Sequence, residues 1–246
     1  MSYQKFAYLY DTLMQDAPYD QWLDFFEQVL EKFHHHPRSI LDVGCGTGAI
    51  SIPLAQKGLQ VIGVDLSEDM LAVAQHKSQE AGVSVHWVHQ DMTQLSLPST
   101  VDTILCFCDS INYILEEKLI LATFQNIYNH LEEGGLFLFD CHSLFKMEHI
   151  YAQNTYGVLD APLTYLWQCY YDQEEQVVDH ELSFFVQQSD GKYERFDEFH
   201  QQKAYHEEKL KEMLLQVGFE ILQVSADFTH DIPVESSERL FFVAKK

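Results

Sequence analysis

Residues 39–56 read SILDVGCGTGAISIPLAQ. A short apolar run leads to Asp42, glycines follow at positions 44, 46 and 48, and a segment of helical character begins. A glycine loop between a strand and a helix in an open α/β sheet receives a ligand. Working outward, the same alternation continues. LQVIGVDLS is a second strand, and its Ser67 is placed to cap the helix EDMLAVAQHKSQEAG. VSVHWVHQDM is a third strand and VDTILCFCDS a fourth. A helix through EEKLILATFQNIYNHLEE leads to a fifth strand, GGLFLFDC. Alternating strands and helices predict a parallel sheet with helices on both faces.

Outside this block the pattern changes. Residues 19–33, YDQWLDFFEQVLEKF, have apolar positions at helical spacing. HHHPRS breaks that helix; its consecutive histidines have no partner ligand and read as a solvated loop. TYLWQCYYD, QVVDHELSFFVQQ and KYERFDEFHQQKAY read as antiparallel strands, with DQEEQ and SDGK as turns. HEEKLKEMLLQVGF returns to a helix closed by Gly218, and EILQVSADF and RLFFVAKK supply two last strands. The expected division is an N-terminal helical lid over 1–37, a cofactor-binding core over 38–141, an antiparallel substrate-cap insert over 142–205, and a return to the core over 206–246.

The loop's spacing is G-x-G-x-G, whereas the dinucleotide fingerprint is G-x-G-x-x-G. Asp42 beside it is poorly placed for a pyrophosphate and well placed for an ammonium group. The loop and the helix start favour a carboxylate, so the pair suits an amino acid end. Asp65, at the tip of the second strand, can accept from both hydroxyls of a ribose. Asp91 in QDM can accept from an adenine amino group, and Met92 offers the ring an apolar surface. Amino acid, ribose and adenine without phosphate describe S-adenosylmethionine. Gly44, Gly46, Gly48, Leu66 and Cys108 complete the candidate cofactor set, and no metal is called for.

LDVGCGTG, GVDLS with Asp65, QDM with Asp91, and LEEGGLFLFD together resemble the class I S-adenosylmethionine-dependent methyltransferases, over about residues 38–141 and, more weakly, over the C-terminal strands. The resemblance implies a Rossmann-like seven-stranded sheet of order 3-2-1-4-5-7-6 with its seventh strand antiparallel. It also implies close approach of the Gly44 and Gly46 backbone to the methionine part. The opening FAYLYDTLM and the aromatic insert are similar to bacterial small-molecule methyltransferases, including sugar-amine N-methylating enzymes, and the chain looks closest to uncharacterised candidates from Gram-positive bacteria. By that resemblance Tyr10 faces the transferred methyl, and Tyr19 or Trp22 lines the methionine end; core packing is the competing role for each aromatic.

Methyl transfer from a sulfonium rests largely on alignment and desolvation, with a base needed only for a protonated nucleophile. The acceptor is expected past the fourth and fifth strand tips, under the insert. Asp109 and Asn112 are candidate substrate contacts, and Tyr113, His200 and Tyr10 are candidate catalytic residues. Capping of the next helix competes for Asp109, packing for Tyr113, and a structural role for His200. The sugar-amine enzymes carry a histidine where Tyr113 aligns. Cys106 and Cys108 are expected on one face of a buried strand rather than on a metal.

The fourth strand leads into CFCDSINYI, without the prolines of amino-methylating nucleic-acid enzymes, and no Pro-Cys nucleophile is present. The formal charge of −23, from 15 Lys+Arg against 38 Asp+Glu, leaves little for a phosphate-binding face. A small-molecule acceptor with an N or O nucleophile is therefore favoured over RNA or protein. A non-enzymatic S-adenosylmethionine sensor and an aminopropyl transferase are the remaining alternatives. No run of about 18 apolar residues suggests a membrane span, and no secretory signal is read at the N-terminus. Five cysteines in mostly apolar surroundings suit a reduced cytoplasmic protein. The oligomeric state is left open.

Overall fold

The computed structural model describes Tyr10, Asp11, Met14, residues 17–159 and residues 162–246. The opening FAYLYDTLM, and with it much of the expected lid, lies largely outside these residues.

Helix α1 (Tyr19–Lys32) forms because Trp22, Phe25, Phe26 and Val29 recur at helical spacing and are buried on one side. Strand β1 (Ser39–Val43) leads through the glycine loop into α2 (Ser51–Gln56), followed by β2 (Gln60–Asp65) and α3 (Glu68–Glu80). Ser67 caps α3 as its position predicts, accepting from the Met70 amide at 3.2 Å. Then come β3 (His86–His89), β4 (Val101–Cys106), α4 (Glu117–His130) and β5 (Leu131–His142). The insert holds β6 (Thr155–Leu159), β7 (Leu163–Asp172), β8 (Val177–Gln187) and β9 (Tyr193–Lys203). Helix α5 (Glu207–Val217), ended by Gly218 at φ 115°, precedes β10 (Glu220–Ala226) and β11 (Arg239–Lys245).

The main sheet runs β3-β2-β1-β4-β5-β11-β10. The insert's four strands fall between its fifth and sixth members, so counting main-sheet strands alone restores the expected 3-2-1-4-5-7-6. β1 to β5 pair in parallel, and β11 runs antiparallel to both neighbours. Successive residues point to opposite faces. Phe137, Phe139 and Phe242 pack under α4 and α5, while Leu136, Leu138 and Phe241 pack under α1.

Four elements went unforeseen: strand β6, a π-helical turn at Lys146–Tyr151, and 3-10 turns at Met92–Gln94 and Ser110–Tyr113. Strand β4 ends at Cys106, and Cys108 lies beyond it at φ 58°. The expectation that Cys106 and Cys108 share a strand face is thus corrected; both thiols are free.

Candidate functional site

The loop after β1 is pinned to β2, with the Gly44 and Cys45 amides both donating to the Val64 carbonyl. Gly44 has φ +74°, and an added methyl there would stand 2.6 Å from Ser110 Oγ. Gly63 and Gly48 make room for the Trp87 ring, which an added methyl would meet at 2.4 and 2.7 Å. Gly46, at φ +53°, faces open space, with nothing within 4 Å of the same position. A loop packed on both sides and open at its centre can be approached by a ligand along its backbone.

Of the carboxylates predicted at the strand tips, Asp65 touches this loop directly, Asp42 lies just ahead of it in β1, and Asp91 follows β3. Asp42 is 2% exposed and accepts from Ser51 Oγ at 2.5 Å. Burial pushes its pKa up to about 6. Asp65 accepts from the Gly46 amide at 2.7 Å and the Ser67 amide at 2.9 Å, one on each oxygen. The Leu66 amide also bonds this carboxylate, and burial raises the carboxyl's pKa. Asp91 accepts from the Thr93 amide at 2.8 Å through Oδ1. Met92 reaches toward Gly44, and Leu66 is two-thirds exposed at the rim. Three carboxylates and an open glycine backbone fit a ligand rich in donors, as S-adenosylmethionine is with its ammonium, ribose hydroxyls and adenine amino group. The N-terminal segment reaches the same loop: Asp11 accepts from Thr47 Oγ1 at 2.6 Å and from Lys77 at 2.8 Å.

Beyond β4 and β5 lies a buried charge network that sequence reasoning missed. Arg239 donates to Asp109 Oδ1 at 2.9 Å and also pairs with Asp140. The Trp22 indole donates to Asp140 Oδ1 at 2.9 Å, and its ring lies 4.9 Å from the guanidinium. Gln202 donates to Asp109 Oδ2 at 2.7 Å, and His142 Nε2 lies 3.3 Å from Asp109 Oδ1. Burial drives the His142 pKa far down and leaves the ring neutral. Burial alone would raise Asp109. With His142 neutral, Arg239 is the cation that holds it below the ordinary carboxylate range. Asp140, fully buried, is raised by burial despite the same partner.

These bonds bear on three of the residues singled out in the sequence. Asp109 makes no side-chain cap on the following 3-10 turn, Ser110–Tyr113, and its carboxylate is engaged by Arg239, Gln202 and His142. Asn112 is fully buried; it accepts from the His142 amide at 2.9 Å and donates to the Lys203 carbonyl at 2.8 Å. With both ends of its amide engaged by backbone, it is a clamp rather than a substrate contact. The indole N–H of Trp22 belongs to Asp140.

The aromatic candidates do converge. Tyr10 and Tyr19 are hydrogen-bonded, and Cys108, Asp109 and Tyr113 stand near the Tyr10 hydroxyl, whose pKa burial raises. Tyr113 is half exposed, its hydroxyl is hydrogen-bonded to Gln202, and burial and Asp109 raise its pKa. His200 meets the Tyr113 ring edge-on at 6.0 Å. Burial lowers the His200 pKa. Cys108 is held as a thiol by burial.

Known proteins are similar to this chain in sequence and in fold. The methyltransferase domain family matches residues 40–135. A Geobacillus relative, named as a candidate methyltransferase, is 47% identical over the whole of both chains. The crystal structure of an S-adenosylmethionine-dependent methyltransferase from Clostridium acetobutylicum is 31% identical. It superposes with a TM-score of 0.89 over 100% of this chain and 99% of its own. An S-adenosylmethionine-bound amino pentose methyltransferase from Micromonospora echinaspora shares the fold, with a TM-score of 0.74 at 21% identity over 96% of each chain.

Proposed function

Because this chain belongs to the S-adenosylmethionine-dependent methyltransferases, we propose that it methylates an N or O nucleophile of a small molecule in the cytoplasm. The observation that carries this reading is the placement of the insert sheet against the segment that follows β4. The insert sheet covers the tips of β4 and β5 and is fastened there by Gln202 to Asp109 and by Lys203 to Asn112. A cap fastened there suits a small substrate better than a nucleic-acid or protein surface. The charge balance of 15 Lys+Arg to 38 Asp+Glu supports it, as does the amino pentose acceptor of the Micromonospora enzyme.

In this reading Asp42, Gly44, Gly46 and Gly48 hold the amino acid end of the cofactor, Asp65 the ribose, and Asp91 with Met92 the adenine. Leu66 and Cys108 border it, and Tyr19 and the Trp22 ring close the methionine end. When bound, the cofactor supplies a methyl group already activated on a sulfonium. The chain's own work is alignment and exclusion of water. Tyr10 and Tyr113, with hydroxyl pKa values raised by burial, stay neutral at physiological pH and orient the acceptor as donors or acceptors. His200, kept neutral by burial, can take the acceptor's proton where one must leave. Residues 1–37 would act as the lid and 142–205 as the cap.

The test is a methyl-labelled cofactor assay on host extract, separated into metabolites, RNA and protein. Protein-dependent label in metabolites is expected. Label in RNA or protein would replace this reading, and tight cofactor binding without transfer to any fraction would favour a sensor.

A further inference from the structure

Residues paired across β8 and β9 point to the same side of their sheet. His180 pairs with His200, Leu182 with Glu198, and Phe184 with Phe196. Burial identifies this side as the inner one: His180, Phe184 and Glu198 are buried, while Glu181, Asp197 and Phe199 are exposed. Along β9 the inner positions are Phe196, Glu198, His200 and Gln202, each about 7 Å from the next. Gln202 bonds Asp109, and His200 meets Tyr113. At the other end, Phe196 and Phe184 belong to the cluster that packs against Tyr10 and Met70. Glu198 therefore sits in the roof between the contact with Tyr113 and the contact with Tyr10.

Glu198 is 5% exposed, and its Oε1 has no hydrogen-bond partner among the described residues. Of the insert's four lysines and arginines, Arg195 pairs with Asp197, Lys192 with Asp190 and Lys146 with Glu238, and Lys203 follows the inner Gln202 on the opposite side of β9. The nearby Asp109 already has Arg239. An enclosed carboxylate oxygen without a donor is costly. The cost is relieved by protonation or by a donor from outside the chain. The neighbouring His180 Nε2 is also buried and unpartnered among the described residues, and as a neutral ring it supplies no charge. We propose that Glu198 is the acceptor-recognition residue of this site and takes the ammonium group of an amine-bearing substrate. This rests on the small-molecule methyltransferase reading and adds to it a substrate class and the residue that selects it.

The test uses the full chain saturated with S-adenosylhomocysteine and two probes of the same shape, cyclohexylammonium and cyclohexanol, titrated by calorimetry. The expected result is a preference of about tenfold or more for the ammonium, the scale of a charge-assisted hydrogen bond. Glu198→Gln should erase that preference and leave S-adenosylhomocysteine affinity unchanged, and Glu198→Leu should do the same. Equal or undetectable binding of both probes would overturn the assignment, as would a preference that survives in Glu198→Gln. Loss of S-adenosylhomocysteine affinity in both variants would overturn it too, by placing Glu198 in the cofactor site or the fold. Label recovered in RNA or protein in the extract assay would refute the small-molecule reading separately, whatever the probes show.

Discussion

Arg239 Nη2 lies 2.9 Å from Asp109 Oδ1 and joins residues 130 positions apart. Its other arm reaches Asp140, so one guanidinium stands between two buried carboxylates. Arg239→Met should destabilise the protein by about 3–5 kcal/mol in urea unfolding at neutral pH, because it leaves buried charge uncompensated. Asp109 is held low in the folded protein, so its contribution is full above the ordinary carboxylate pKa of about 4 and is lost as pH falls further. In Arg239→Met the sign should reverse, with stability rising as pH falls from 7 toward 5. An Arg239→Met variant as stable as the parent would show that the network is dispensable.

Asp42 titrates in the opposite sense. Its folded pKa of about 6 stands above the unfolded value of about 4. Its contribution is complete below about pH 4 and is lost as pH rises through about 6, a change of roughly 3 kcal/mol. Asp42→Asn should flatten stability against pH across this window. If Asp42 serves the cofactor's ammonium group, S-adenosylmethionine affinity should rise through the same window with release of a proton, seen as a buffer-dependent binding enthalpy. Affinity level across the window would remove Asp42 from that role.

Asp65 serves backbone amides as well as the proposed ribose site. Asp65→Ala should weaken S-adenosylmethionine binding by roughly 1.5–3 kcal/mol and lower the melting temperature, because the Gly46 and Ser67 amides lose their acceptor. Asp65→Asn should recover much of the stability and less of the affinity. Calorimetry that finds parental affinity in Asp65→Ala would sink the ribose assignment.

Gly44 and Ser110 can be tested as a pair. Gly44→Ala places a methyl group 2.6 Å from Ser110 Oγ on backbone at φ +74°. A loss of about 1–3 kcal/mol is expected from strain and overlap. Ser110→Gly should recover the overlap part and leave the conformational part. Additive losses in chemical denaturation would mean that the two loops do not press on each other.

The strand tips were legible because each carboxylate sits within a few residues of the turn it serves. Asp42 precedes the glycines, and Asp65 precedes the Ser67 cap. The acceptor side was not, because its contacts join α1, β5, β9 and β11 across the fold. Trp22, Asp109 and Asn112 were read one at a time, as a cofactor wall and as substrate contacts, without the partners that occupy them. Asp140 closing FLFD and Arg239 opening RLFF were a usable signal: opposite charges at the ends of two apolar strands that prove to be neighbours. Strand β6 escaped because TYGVL has no clean alternation and holds Gly157 at its centre. Glu198 escaped because EFHQQ alternates a buried side with an exposed one without the apolar contrast that usually marks the inner face.

Asn112 takes hold of the backbone at His142 and at Lys203, so the entire roof departs from and returns to a single amide side chain. That makes the roof a cassette with adjoining sockets. A graft cut at these two positions could be exchanged between relatives without touching the glycine loop, provided that it carries a glutamine in the place of Gln202 to latch onto Asp109.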